Sequence, residues 1–273
     1  MRISSRSLAK KLIKYLLQND IYSTKVVSPV RIQQFLSAVC PTPIQQKLIR
    51  IGAPNDGGYL LPDDFLDIKA CFSPGVGEVS KFEEDLADLG IRSFLADGSI
   101  DDPKFSNEML HCIGKYISDQ NSETDIRLED WVNWGGEGNL SGDLILQMDI
   151  DGSEYSVIFD TPEELLKRFR IIVIEFHSMD SLISPLGYDL IRLTFNKILK
   201  HFTVVHIHPN NYEKPLLFKE FVLPPVMEFT FLRNDRVQIS NKALSYPNNL
   251  DAPNGADFPH EDHILPKCWY NTN

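Results

Sequence analysis

Cysteine is scarce. The chain has four in 273 residues, Cys40, Cys71, Cys112 and Cys268, and no two stand in a C-x-x-C pair. That removes zinc knuckles and a disulfide framework as organising devices. Cys71 reads as a core residue of a buried strand, and reduced thiols in a cytoplasmic setting are expected. Positive charge is short as well: 27 Lys and Arg against 38 Asp and Glu leave a formal net charge of −11. A nucleic-acid backbone demands a basic face, so no nucleic acid is expected as a partner. Internal repeats and low-complexity tracts are also lacking.

What is present is ordinary for a globular protein. Hydrophobic residues make up 42% and charged residues 24%, enough for one α/β domain with additions. The reading divides the chain into a helical extension over 1–50, the main domain over 51–240 and a loop-rich tail over 241–273 that packs on it. In the extension, helices are expected over Leu8–Gln18 and Pro29–Val39. The first is basic and amphipathic: Arg2, Arg6, Lys10, Lys11 and Lys14 interleave with Leu8, Leu12, Ile13, Leu16 and Leu17. It has no uninterrupted apolar core of a signal peptide and is too short and charged to span a bilayer. Packing on the domain or in a homo-oligomer is the plainer reading. Peripheral contact with an anionic membrane, on its inner face, is the sharper one.

The organising stretch is Lys69–Asp101. Ala70-Cys71-Phe72 reads as a buried parallel strand, Ser73-Pro74-Gly75-Val76-Gly77 as a turn, and Phe82, Leu86 and Leu89 as the apolar face of a helix that Ser80 caps and Gly90 ends. The glycines permit φ > 0 and close approach of backbone to a ligand. A second strand, Ile91–Ala96, delivers Asp97 at its carboxyl end, 20 residues after Gly77. That is the spacing at which an acid takes ribose hydroxyls in a nucleotide crevice. Ser80 stands where a dinucleotide fingerprint has its third glycine. This favours a nucleoside ligand without phosphate, such as S-adenosylmethionine, over NAD.

Upstream, Asn55-Asp56-Gly57-Gly58 signals a β-hairpin, either a plain hairpin or a lid over the ligand mouth. Downstream, the spacing predicts a helix over Phe105–Leu110, a strand near His111–Ile117 and a helix over Thr124–Trp134. Trp134, before a glycine-rich loop, is either a wall for an aromatic ring or a surface anchor. Strands follow at Leu144–Met148, Ile171–Ile174 and Phe202–Ile207, with helices from Ser153, over Pro162–Phe169 and over Tyr188–Lys200. A last strand, Val226–Leu232, is reached without a helix and should return antiparallel.

Three of these strands end in polar residues: Asp149 and Asp151, then Glu175 and His177, then His206, His208, Asn210 and Asn211. Ligands of open α/β sheets bind at such carboxyl ends. Carboxylates and imidazoles gathered there can hold a divalent cation, Mg²⁺ or Mn²⁺ for an oxygen-rich set. The alternative is that they cap helices and bind loops. His177 is the leading candidate base because imidazole titrates near neutrality, with Asp151 second.

The chain resembles the FkbM-type S-adenosylmethionine-dependent methyltransferases, from about Ile51 to Arg233. The resemblance rests on DGGY at Asp56–Tyr59, SPGVGEVSKFEEDLA at Ser73–Ala87, ADGSI at Ala96–Ile100, MDIDGSEY at Met148–Tyr155, EFH at Glu175–His177, HIHPNN at His206–Asn211 and MEFTFLR at Met227–Arg233. It implies a class I methyltransferase fold: a Rossmann-like, seven-stranded, mostly parallel α/β sheet with the last strand antiparallel. It implies O-methyl transfer to a small-molecule or glycan acceptor, often a sugar of a polysaccharide, glycolipid or secondary metabolite. Gly75 and Gly77 would back the cofactor and Asp97 would take its ribose; Asp56, Tyr59, Ser73, Ser80 and Ser99 complete the expected contacts. Related metal-assisted sugar O-methyltransferases point to Asp149 and Glu175 as metal ligands, with His208 assigned as a third. The family often has Glu where this chain has Asp151. A NAD-dependent sugar oxidoreductase and a non-catalytic subunit of the same fold are the alternatives.

Overall fold

The computed structural model describes residues 5–19, 24–76, 81–100, 107–135, 142–255 and 264–270. Gly77, Ser80 with its expected capping role, residues 101–106 and the loop at 136–141 lie outside the described residues.

In chain order, two helices come first, α1 (Ser5–Gln18) and α2 (Pro29–Ala38). A hairpin follows, β1 (Leu48–Gly52) with β2 (Gly58–Pro62), and then β3 (Ala70–Pro74), α3 (Lys81–Asp88) and β4 (Arg92–Ala96). Next are β5 (Leu110–Ile113), β6 (Tyr116–Ser118), β7 (Asp125–Arg127) and α4 (Leu128–Gly135). The second half holds β8 (Leu144–Met148), α5 (Glu154–Asp160), α6 (Glu163–Leu166), β9 (Phe169–Phe176) and α7 (Pro185–Leu199). It closes with β10 (Phe202–Pro209), the pair β11 (Leu216–Phe218) and β12 (Phe221–Leu223), and β13 (Met227–Arg233).

Seven strands form one sheet in the order β10-β13-β9-β8-β3-β4-β5. The pairs among β5, β4, β3, β8 and β9 are parallel, while β13 inserts between β9 and β10 and runs antiparallel to both. All eight residues of β9, Phe-Arg-Ile-Ile-Val-Ile-Glu-Phe, are buried, as a strand covered on both faces must be.

Alternation along the strands divides the core in two. Phe72, Leu146, Ile172, Ile174, Phe229 and Phe231 face the helical layer built by α2, α4, α5 and α7. Phe195 of α7 anchors that layer, its ring centroid 5.2 Å from Phe35 and 4.8 Å from Phe229 in edge-on geometry. Each such side chain contributes roughly 2 to 3 kcal/mol by leaving water. On the other face, Cys71, Ile145, Ile171, Val173 and Leu232 pack under the hairpin and α3 through Tyr59, Leu61, Phe82 and Leu86.

Several expected elements differ. Leu110 opens β5 rather than ending a helix, and the stretch read as one strand near His111–Ile117 is two, β5 on the main sheet and β6 paired separately with β7. The helix expected from Thr124 begins only at Leu128, because Asp125–Arg127 is drawn into that second sheet. Leu89 is 51% exposed, since α3 stops at Asp88 and the last apolar position falls in the turn. Phe169, read as the end of a helix, starts β9. Leu265 and Trp269 of the tail insert into the main core, and no described helix is long and apolar enough to cross a membrane.

Candidate functional site

The carboxyl ends of β3, β4 and β8 meet at a crevice with two compartments. One, of about 450 Å³, is walled by the hairpin residues Asp56 and Tyr59 together with Lys81 and Glu83; the other, of about 670 Å³, by Asp97, Ser99, Asp125 and Asp151. Both are bordered by Asp56, Gly75, Val76 and Asp149, so they adjoin. The hairpin thus forms one wall of the crevice.

Gly75 is the hinge of this arrangement, for a reason other than ligand approach alone. Its φ is +81°, and a Cβ there would stand 1.4 Å from the carbonyl oxygen of Asp149. Only a residue without a side chain lets β3 turn away while touching the end of β8. Asp97, at the end of β4, is buried, and its Oδ1 accepts bonds from the Ser99 N–H at 2.8 Å and the Ser99 hydroxyl at 2.6 Å. Ser99 therefore orients Asp97, and both border the wider compartment.

Ser73, expected at the cofactor, points elsewhere. Its hydroxyl is buried between Glu83 Oε1 and Gln147 Oε1, the latter at 2.5 Å, and Gln147 Nε2 donates to the Tyr59 hydroxyl at 3.3 Å. Burial pushes the Glu83 pKa up to about 7, against the bond to Ser73, which lowers it.

The chemistry-bearing cluster lies beyond the ends of β8 and β9. Asp151 has φ +52° and Gly152 φ +101°, a sharp left-handed turn that leaves the Asp151 carboxylate fully exposed. The His177 Nε2 atom stands 4.0 Å from Asp149 Oδ1, 3.8 Å from Asp151 Oδ1 and 3.8 Å from Glu175 Oε1. Its Nδ1 is 3.0 Å from Oε1 of Glu154, a fully buried carboxylate that also accepts the N–H groups of Ile150 and Gly152. Nδ1 therefore directs its proton to Glu154, and Nε2 faces the carboxylates. Burial opposes charge on His177, but the bond to Glu154 and the charges of Glu154, Asp149 and Asp151 outweigh it and raise its pKa. Burial lifts Asp149 to about 7, and lifts Glu175 well above the carboxylate range with help from Asp149, Glu228 and Asp56.

His208 sits apart from this cluster. Glu175 pairs with Glu228 across β9 and β13, and Glu228 with His208 across β13 and β10, so the imidazole is two strand spacings from Glu175. That is roughly 9 to 10 Å of backbone. Its neighbour is Asp251 of the tail, with Oδ2 3.9 Å from Nδ1. Asp251 also meets His206 Nε2 at 2.9 Å, and Asn254 donates to Glu228 at 2.7 Å and to Asp56 at 3.3 Å. Asn210 donates to both oxygens of Glu175 at 3.2 and 3.3 Å, while Asn211 bonds Gly255. Trp134 is 65% exposed and does not border either compartment.

No family model matches the chain, and no curated protein matches it. Glu154, Gln147, Glu228 and Asn254 take part in the site, and Asp251 in the His206–His208 group beside it, without having stood out in the sequence; Glu83 stood out only as a helix-capping partner of Ser80. The spacing of Ser153-Glu154 behind Gly152 was the one available signal for Glu154, and it reads equally as a helix start.

Proposed function

We propose that the chain is an S-adenosylmethionine-dependent O-methyltransferase acting on a hydroxyl of a sugar or similar polyol. The observation that carries this reading is a single crevice bordered by Asp97 on one side and by Asp149 and Asp151 on the other, with His177 Nε2 directly behind the latter pair. The seven-stranded sheet with β13 antiparallel supports it. So does the missing third glycine, with Ser80 in its place, which disfavours NAD.

Asp97, oriented by Ser99, would accept the ribose hydroxyls, and Gly75 borders the same compartment. The bound donor supplies a methyl group on a sulfonium whose positive charge is lost as the C–S bond breaks and its electron pair passes to sulfur. The chain's task is then to align an acceptor hydroxyl and remove its proton. His177 Nε2 takes that proton, and the resulting imidazolium is stabilised by Glu154 behind and by Asp149 and Asp151 in front.

A second reading rests on the close grouping of Asp149, Asp151 and His177, whose donor atoms lie within 4.8 Å of one another. Two carboxylate oxygens and an imidazole nitrogen fixed by a carboxylate behind it fit a divalent cation such as Mn²⁺. Such an ion would lower the pKa of a bound hydroxyl. The two uses of Nε2 exclude each other, and Glu175 would then flank the ion.

The test is formation of S-adenosylhomocysteine on incubation with S-adenosylmethionine and a panel of neutral, amino and acidic sugars. The reading expects product with at least one acceptor, abolished in His177→Ala. Turnover that persists in chelator favours the base; turnover that requires added Mn²⁺, with Mn²⁺ binding lost in Asp149→Asn, favours the ion. Unchanged turnover in His177→Ala removes both roles.

A further inference from the structure

Helix α1, Ser-Arg-Ser-Leu-Ala-Lys-Lys-Leu-Ile-Lys-Tyr-Leu-Leu-Gln, carries four cations and no acid in a chain whose net charge is −11. None of its described side chains is buried. Lys10, Lys11, Ile13, Lys14, Tyr15 and Gln18 are exposed, Ile13 at 49% and Tyr15 at 62%, and Leu16 is half-buried. By contrast α2, only 10 residues long, buries Ile32, Phe35 and Leu36. Among the described residues, no ion pair engages Lys10, Lys11 or Lys14. An isolated helix of this length is marginal in water, so its order depends on what covers it.

We propose that α1 lies in the plane of an anionic lipid surface, with its lysines at the headgroups and Ile13, Tyr15 and Leu16 entering the acyl boundary. At about 21 Å it is long enough to lie flat and too short to cross. Charge complementarity selects this occupant. Each Lys or Arg near an anionic bilayer contributes on the order of 1 kcal/mol, and insertion of the apolar residues adds to it. A second copy of the chain offers a poorer seat. Its exposed apolar stripe on α7, Leu186, Leu190 and Leu193, is flanked by Asp189, which already pairs with Arg31 at 2.8 Å and Arg192 at 3.3 Å. This inference is independent of the methyl-transfer reading.

The experiment is flotation of the full chain with vesicles of phosphatidylcholine alone and of phosphatidylcholine with one third phosphatidylglycerol. Binding is expected only to the anionic vesicles, and it should weaken as salt screens the surface. Lys10→Glu/Lys11→Glu/Lys14→Glu should bind at least about a hundredfold more weakly while melting at the same temperature. Ile13→Gln, with every charge kept, should also weaken binding, which a purely electrostatic contact would not. Equal binding to both vesicle types, or to neither, overturns the proposal. So does a dimer in solution that the triple charge reversal dissolves without any vesicle binding by the parent chain.

Discussion

Glu154 holds His177 by Nδ1, at 3.0 Å, and is itself held by the N–H groups of Ile150 and Gly152. The left-handed turn at Asp151–Gly152 brings those N–H groups round to the carboxylate at the start of α5. One buried charge thus ties the end of β8 to the residue that follows β9. It also turns Nε2 toward Asp149, which borders the crevice, and Asp151.

Glu154→Gln keeps an acceptor oxygen but removes the charge. Turnover should fall about ten- to a hundredfold, and the His177 imidazole should titrate at lower pH, because Glu154 is the largest influence raising it. Affinity for S-adenosylmethionine should not change. Steady-state kinetics and ¹⁵N resonances of the ring report the two effects separately.

Glu83 makes stability depend on pH. Burial raises its pKa from 4.5 to about 7, so below the lower value both folded and unfolded chains hold the proton and no penalty exists. As pH rises through this window the unfolded chain ionises first, and stability is lost, by on the order of 3 kcal/mol once the folded group has ionised too. Urea unfolding at about pH 5 and about pH 8 should show the parent losing stability and Glu83→Gln losing much less.

Gly75→Ala and Gly90→Ala separate clash from strain. Both positions have positive φ, +81° and +78°, but a Cβ at Gly75 meets the Asp149 carbonyl at 1.4 Å whereas one at Gly90 meets nothing within 4 Å. The first should cost more than about 4 kcal/mol or prevent folding, the second about 1 kcal/mol. Thermal melts of the two variants decide.

Asp251→Asn removes the charge that faces two imidazoles. Despite burial, the hydrogen bond from His206 and the close His208 imidazole hold the Asp251 carboxyl well below the usual range. Breaking a buried pair of this kind costs about 3 to 5 kcal/mol. Hydrogen exchange should quicken first in the tail around Asn248–Gly255, which the pair fastens to β10.

Much of this architecture is legible in the chain because buried strands announce their ends. Leu144–Met148 is apolar but for Gln147 until Asp149, and Ile171–Ile174 throughout until Glu175, so these two acids mark themselves. His208 did not follow suit. It shares a face with His206, as period-2 spacing requires, but nothing in β10 reveals that β13 will slide in between it and β9. Asp251 is 45 residues from His206, in a Pro- and Asn-rich tail that reads as covering. Glu154 is 23 residues from His177 and sits where any helix might begin. The strands at Leu110 and Asp125 are short edge elements, set by tertiary pairing rather than by local spacing.

The central claim is that the crevice between Asp97 and Asp149 takes a methyl donor. Calorimetric titration of the full chain with S-adenosylmethionine, and separately with NAD, tests it most directly. The account predicts saturable binding of S-adenosylmethionine that Asp97→Ala weakens at least tenfold, a loss of about 1.4 kcal/mol, and no binding of NAD. Saturable binding of NAD with no heat from S-adenosylmethionine would contradict it.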